Sequence, residues 1–212
     1  MRPEQVHAIV GKTPYMSLEQ GCRMAGFIEE NRPRRILELG FAHGVSTCYL
    51  AAALKSVGGE SVTTIDFAKT RLLQPDIADL LDACGLSDIV TIYDDPTSFT
   101  WRLMKMLEDG KGPRFDLVYL DGGHSWDVTG FAFFLVDRLL VPGGWLILDD
   151  MDWTFEISPT LHNYPFVKEM PEYYRKTPQV RKVFELLVMR HPDYGSFSIE
   201  RGWGFARKKR DE

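Results

Sequence analysis

RRILELGFAHGVSTCYLAAALKSV, residues 34–57, decides how the rest of the chain is read. Its first part, RRILELG, is short, rich in Ile and Leu and ends near an acidic residue and a glycine, the mark of a buried parallel strand. Its last part, VSTCYLAAALKSV, repeats apolar residues at helical spacing. Between them, Gly40 and Gly44 let the backbone turn tightly and approach a ligand with no Cβ in the way. Ser46 and Thr47 fall where the helix begins, beside its free N–H groups. A strand, a glycine loop and a helix in that order open a parallel α/β sheet with a ligand at the loop.

Outward from this unit the alternation continues. SVTTIDF (61–67), DIVTIYD (88–94), FDLVYLD (115–121, with Arg114 leading into it) and GWLILDD (144–150) read as further buried strands. PDIADLLDACG, TSFTWRLMKMLEDG and WDVTGFAFFLVDRLL read as amphipathic helices, as with Val128, Ala132, Leu135 and Leu139. VPGGWLIL is a turn signal feeding the fifth strand, and SFSIERGWGFARK reads as two short strands about Arg201-Gly202. The expected fold is therefore α/β: a doubly wound, mostly parallel, seven-stranded Rossmann-like sheet with a C-terminal antiparallel hairpin. A single domain over residues 1–212 is expected. SLEQGCRMAGFIEENRP is expected to form a helix stopping at Pro33, so that residues 1–33 cap the crevice or the sheet edge. Residues 151–178, aromatic and proline-rich, break the pattern and are read as a substrate lid.

At 212 residues the chain suits one sizeable core, and 44% hydrophobic with 26% charged residues is ordinary for a soluble domain. No apolar run reaches the roughly 20 residues that cross a bilayer, and the start of the chain lacks a secretory signal, so a cytoplasmic protein is expected. A net charge of −5 argues against a dedicated nucleic-acid binder, and Arg207–Arg210 reads as a solvated tail. Cys22, Cys48 and Cys84 read as reduced packing residues. Val6, Ile9 and Val10 leave exchange between subunits, and hence a homo-oligomer, open.

The acidic strand ends all face one crevice in such a sheet. The loop itself weakens a nicotinamide-dinucleotide reading, because that fingerprint puts glycines at 40, 42 and 45 and here Ala42 and Val45 occupy the last two. Glu38-x-Gly40-x-x-x-Gly44, an acidic close to the second strand at Asp66, LDGGH after the fourth strand and PGGWLILDD at the fifth together resemble class I S-adenosylmethionine (SAM)-dependent methyltransferases, over residues 17 to 208. The resemblance implies that the backbone at Gly40 and Phe41 faces the methionine end of SAM and that Glu38 orients the loop or the amino group. Gly44 and Ser46 would complete that loop. Asp66, with Phe67 beside it, would take the ribose hydroxyls, Asp94 or Asp95 would lie near the adenine amine, and Asp121 would border the cofactor.

Asp121 ends the fourth strand and Asp149 and Asp150 end the fifth, so three carboxylates crowd together. A hard cation such as Mg²⁺ or Mn²⁺ relieves that repulsion, as would a raised carboxylate pKa. His124, ordinarily neutral near pH 7, is a candidate to accept a proton. The set is similar to that of metal-dependent O-methyltransferases, the catechol, caffeoyl-CoA and macrolide-sugar enzymes. Where the first two often carry a lysine base and an Asp-Asn pair, this chain has His124 and Asp149-Asp150, closer to the sugar-modifying branch. That resemblance implies methyl transfer from SAM to a hydroxyl of a small-molecule acceptor (a sugar, polyketide or phenolic), with Asp121, Asp149 and Asp150 on the metal and His124 as base. Asp152, Trp153, Tyr164, Tyr173 and Tyr174 are candidates for an acceptor wall, and His43 for the SAM carboxylate. The alternatives are a metal-independent N- or carboxyl-methyltransferase and a non-catalytic SAM- or nucleotide-binding module.

Overall fold

A computed structural model describes residues 1–110 and 115–210; Arg114, at the head of the expected fourth strand, lies outside them. Seven strands form one sheet: β1 (Arg35–Leu39), β2 (Ser61–Phe67), β3 (Val90–Asp95), β4 (Phe115–Leu120), β5 (Leu140–Leu148), β6 (Tyr194–Glu200) and β7 (Trp203–Lys208). Their order across the sheet is β3-β2-β1-β4-β5-β7-β6, with the first five parallel and β7 antiparallel to both neighbours. The chain reverses its direction of travel between β1 and β4, which opens a crevice beyond their carboxyl ends.

Helices α1 (Pro3–Val10), α2 (Leu18–Asn31), α3 (Val45–Ser56) and α4 (Ile77–Cys84) cover one face. Helices α5 (Phe99–Glu108) and α6 (Trp126–Asp137), with the later α9 (Gln179–Val183) and its π-helical extension through Val188, cover the other. Burial on both faces explains the mainly apolar composition of β1 and β4. Helix α3 is buried from Val45 to Leu54 because α2 packs over it. Its partner α2 starts at Ser17, whose hydroxyl accepts the N–H of Gln20 while the Gln20 side chain accepts the N–H of Ser17.

Three details differ from the sequence expectation. The N-terminal cap is two helices, α1 having gone unread, and Val6 and Val10 are buried in the chain's own core. Strand β5 starts at Leu140, before the Pro-Gly-Gly signal, which forms a bulge inside the strand: Leu140 pairs with Phe115 and Trp145 with Leu117. Residues 151–178 are built around two short helices, α7 (Pro165–Lys168) and α8 (Glu172–Lys176), and an aromatic stack of Trp153, Phe155 and Tyr174. The hairpin between β6 and β7 turns at Arg201 and Gly202, both with positive φ, which matches the natural twist of paired strands. Among the described residues no helix is long and apolar enough to cross a membrane.

Candidate active site

Gly40 follows β1 and packs against Asp121 and Gly122, which follow β4. Its φ is +92°, and a Cβ there would stand 2.4 Å from the Asp121 carbonyl oxygen. Only glycine fits such a position without moving backbone. Two buried carboxylates then fix the loop. Glu38 accepts the hydroxyls of Ser46 and Thr47 at 2.5 Å each and of Thr64 at 2.6 Å. It is fully buried, so of the two roles expected for it, its contacts are those of orienting the loop. Burial raises its pKa to about 7, against the lowering effect of the three hydroxyls, and the nearby Asp66 adds to the rise.

Asp66 accepts the N–H groups of Phe41 and Ala42 at 2.8 Å each on one oxygen, and that of Phe67 at 2.7 Å on the other. The two-hydroxyl fork expected of it is thus largely occupied by backbone, leaving only its remaining lone pairs to face the cleft. Asp94 and Asp95 are not among the residues that line the cleft; Arg71 lies 3.5 Å from Asp94, and Arg102 holds the buried Asp95 at 2.6 Å.

A cleft of about 440 Å³ runs from this loop to the ends of β4 and β5, a size suited to a cofactor or drug-sized ligand. Gly40, Phe41, Ser46, Asp66 and Phe67 line it from the glycine loop, α3 and the end of β2, and Asp121, His124, Asp149, Asp150 and Trp153 from beyond the ends of β4 and β5. Tyr15 and Gln20 from the N-terminal cap and Ser158–Leu161 from the lid close its sides. Sequence reasoning did not single out Tyr15 or Gln20, although the Ser-x-x-Gln capping signal at 17–20 marks where that helix would begin.

At the acidic end the structure brings together Asp121, His124 and Asp150. One donor atom from each lies within 4.8 Å of the others. His124 Nε2 is 2.8 Å from Asp150 Oδ2 and 3.8 Å from Asp121 Oδ1. That nitrogen is buried yet has no partner aligned as a hydrogen bond, so the contact is an ion pair without a directed N–H···O. The Asp121 and Asp150 carboxylates with the His124 imidazole form a group whose donor atoms lie close enough together to hold a divalent cation. Burial by itself would lower the His124 pKa, but the flanking Asp121 and Asp150 outweigh it and raise the group to about 10. Burial likewise raises the Asp121 carboxyl; His124 pulls it back, and Asp149 and Asp150 add repulsion.

Asp149, expected beside Asp150 on the cation, lines the cleft with it but is not among the three residues whose donor atoms gather within 4.8 Å. It accepts the hydroxyl of the fully buried Tyr119 and the N–H of Asp150. Tyr119 was not singled out from the sequence; the signal available was one hydroxyl among the aliphatic residues Leu117, Val118 and Leu120. Trp153 packs against His124 with ring centroids 4.8 Å apart. Of the other candidates for an acceptor wall, Tyr164 and Tyr173 are exposed, Tyr174 stacks on Phe155, and Asp152 pairs with Arg181. His43 Nδ1 is 2.7 Å from the Pro75 carbonyl oxygen, and the residue is not among those that line the cleft.

The fold is shared with solved methyltransferases. The O-methyltransferase TomG from Streptomyces achromogenes, in complex with SAM, superposes with a TM-score of 0.67 at 21% identity, over 98% of this chain and 87% of that one. The Bacillus cereus O-methyltransferase, in complex with S-adenosylhomocysteine (SAH), gives 0.64 at 22% identity over 98% and 89%. The SAH-bound methyltransferase PaMTH1 of Podospora anserina gives 0.68 at 19% over 97% and 86%. No curated protein matches the chain by sequence. The profile of the methyltransferase domain family, however, matches residues 37–151, from inside β1 to just past β5, which is over half the chain and contains both ends of the cleft. The chain belongs to that methyltransferase family.

Proposed function

We propose that this methyltransferase transfers the methyl group of SAM to a hydroxyl of a small-molecule acceptor, with a divalent cation and His124 assisting. The observation that carries the reading is the continuity of one cleft from the glycine loop to the Asp121–His124–Asp150 cluster. The loop backbone at Gly40 and Phe41, with Ser46 at the start of α3, would bind the methionine end of SAM. Asp66 and Phe67 would flank its ribose. The sulfonium already makes the methyl group transferable, so the protein's task is to align an acceptor oxygen behind it and to remove that oxygen's proton.

Asp121 and Asp150 would hold the cation, Mg²⁺ or Mn²⁺, whose charge, when bound, lowers the pKa of a neighbouring hydroxyl. His124 stands beside both and is the histidine that lines the cleft, so it would take the proton. Trp153, and Ser158–Leu161 of the lid, would shape the acceptor end, with residues 151–178 acting as an insertion over a single domain. TomG and the B. cereus protein, named O-methyltransferases, support oxygen as the methyl acceptor.

The test is calorimetric titration of SAH, followed by methyl transfer to a panel of sugar, phenol and polyketide alcohols with and without chelator. SAH binding and chelator-sensitive turnover restored by Mg²⁺ or Mn²⁺ are expected. Absence of SAH binding would refute the cofactor assignment, and turnover indifferent to chelator would favour a metal-independent N- or carboxyl-methyltransferase.

A further inference from the structure

The basic run Arg207–Arg210 and the Pro-Gly-Gly bulge of β5, far apart in sequence, meet at the amino ends of β4 and β5, the end of the sheet opposite the methyl-transfer cleft. Between them and the carboxyl end of α2 lies a cavity of about 190 Å³, several times the roughly 30 Å³ of a water molecule. The run is not simply a solvated tail. Lys208 turns to the Asp137 carboxylate at 2.9 Å and Lys209 to the Pro192 carbonyl, while Arg207 and Arg210 line the cavity, facing Arg32 from the end of α2. Arg207 Nε donates to the Gly143 carbonyl at 3.0 Å, and its guanidinium lies 5.4 Å from the centre of the Trp145 ring, which Phe27 supports edge-on. Arg210 lies along the backbone of Gly143, where a Cβ would meet its Nε at 3.2 Å. Glycine, at φ +83°, makes room there for the second arginine beside the first.

Among the described residues, none of these three arginines has a carboxylate within ion-pair distance, unlike most arginines of the chain. Acids are not scarce, since the chain has 30 against 25 bases. The one acid in the lining, Asp116, has an oxygen committed to the N–H groups of Arg34 and Arg35, at 3.0 and 2.8 Å. We infer that this cavity is a binding site for a small soluble anion carrying one or two phosphoryl groups, held by the guanidiniums of Arg207 and Arg210 with Arg32 closing it. Guanidinium forks match phosphate oxygens two at a time. Two of the three are held by the β5 bulge before any ligand arrives, so less ordering is needed on binding. Arg207 keeps its terminal N–H groups for the anion, because its hydrogen bond to protein is made through Nε. The cavity shares no lining residue with the methyl-transfer cleft, so the inference stands whatever that cleft's acceptor is.

The experiment titrates inorganic phosphate and inorganic pyrophosphate, separately, into the full chain by calorimetry, with chelator present so that no cation in the cleft recruits the anion. At least one of the two should bind one to one with a Kd below about 1 mM. Arg207→Lys and Arg210→Lys keep the charge but lose the fork, and each should weaken that binding about tenfold or more. Arg32→Ala combined with Arg210→Ala, at two exposed side chains where folding is not at stake, should remove it altogether. Arg190→Ala, at an exposed arginine outside the cavity, should leave it unchanged. Titrations that saturate with neither anion would overturn the inference, leaving a basic surface with no site. Lysine variants that bind as tightly as wild type, or an equal loss in Arg190→Ala, would also overturn it, because a diffuse positive field and not this cavity would then be holding the anion.

Discussion

At the glycine-loop end of the cleft, Glu38 and Asp66 have their oxygens engaged by three hydroxyls and three backbone N–H groups. At the other end, His124 Nε2 is buried with no aligned partner, and His124 and Asp150 both hold left-handed backbone. The first wall is complete as folded; its polar groups satisfy one another, and the surface it offers is backbone. The second wall gathers carboxylates around one imidazole whose close contacts are ion pairs and not aligned hydrogen bonds. The difference teaches where each wall's specificity resides: in shape for the first, in what is added to it for the second.

The sharpest break of this contrast is Gly40→Ala. A methyl group at φ +92° and 2.4 Å from a backbone oxygen cannot be relieved by a side-chain rotation. Both strand ends must move. The expected loss is about 3 kcal/mol of stability or more, with SAH affinity down by more than about 100-fold, read by thermal melting and calorimetry. Wild-type behaviour would mean that the loop is pliable and that its shape is not what binds.

Next is the pH dependence of Glu38. Its folded pKa, about 7, lies above its ordinary value of 4.5, so its neutral form is the one the fold favours. Its contribution to stability is therefore fully present below pH 4.5, declines as pH rises from 4.5 to 7, and is flat above that. Since Glu38 is completely buried, the decline amounts to something on the order of 3 kcal/mol. Glu38→Gln should abolish this slope, so denaturant unfolding of both proteins across pH 4.5 to 8 should show wild type losing ground to the variant. Parallel curves would mean that Glu38 stays ionised and that the hydroxyls outweigh burial.

On the opposite wall, His124 with a pKa raised to about 10 carries a proton at neutral pH when no cation is present. A cation must displace that proton, so Mn²⁺ affinity should rise with pH, by about tenfold from pH 7 to 8 for one proton released. His124→Asn should flatten that dependence. A pH-independent affinity in the wild type would show that this wall is as self-sufficient as the first.

How far each wall could be read from the sequence follows the same division. The loop was legible because its constraints are steric and local: Gly40 and Gly44 announce backbone needs, and the aliphatic runs announce burial. The acidic end was legible in its residue types but not in its pairing. Asp149 and Asp150 are adjacent in sequence, and nothing in the letters says that one turns inward to Tyr119 and the other outward to His124, since that depends on the φ of Asp150 and on a tyrosine thirty residues earlier. Asp66 was placed on the correct strand end, yet its carboxylate is taken by the loop's own N–H groups, a tertiary contact with no sequence signature. The two arginines that occupy Asp94 and Asp95 are likewise visible only once helix and strand are packed. The Pro-Gly-Gly bulge inside β5 escaped because a turn signal and a bulge signal use the same residues.

The smallest effect expected concerns Trp153, which joins the acidic wall to the lid. Its ring lies 4.8 Å from that of His124 and, edge-on, 4.9 Å from Phe155, which stacks on Tyr174. A ring pair of this kind contributes about 1 kcal/mol beyond the area it buries. Trp153→Leu should therefore cost only about that in stability, since Leu still fills part of the space, and should change SAH affinity far less than Gly40→Ala does. The imidazole, however, would lose the surface that holds its plane, and the pH at which Mn²⁺ affinity rises should move toward the ordinary histidine value as solvent reaches the ion pair. A stability loss with no such movement would make Trp153 part of the lid's packing alone, and would show that His124 is oriented by Asp121 and Asp150 without help from the lid.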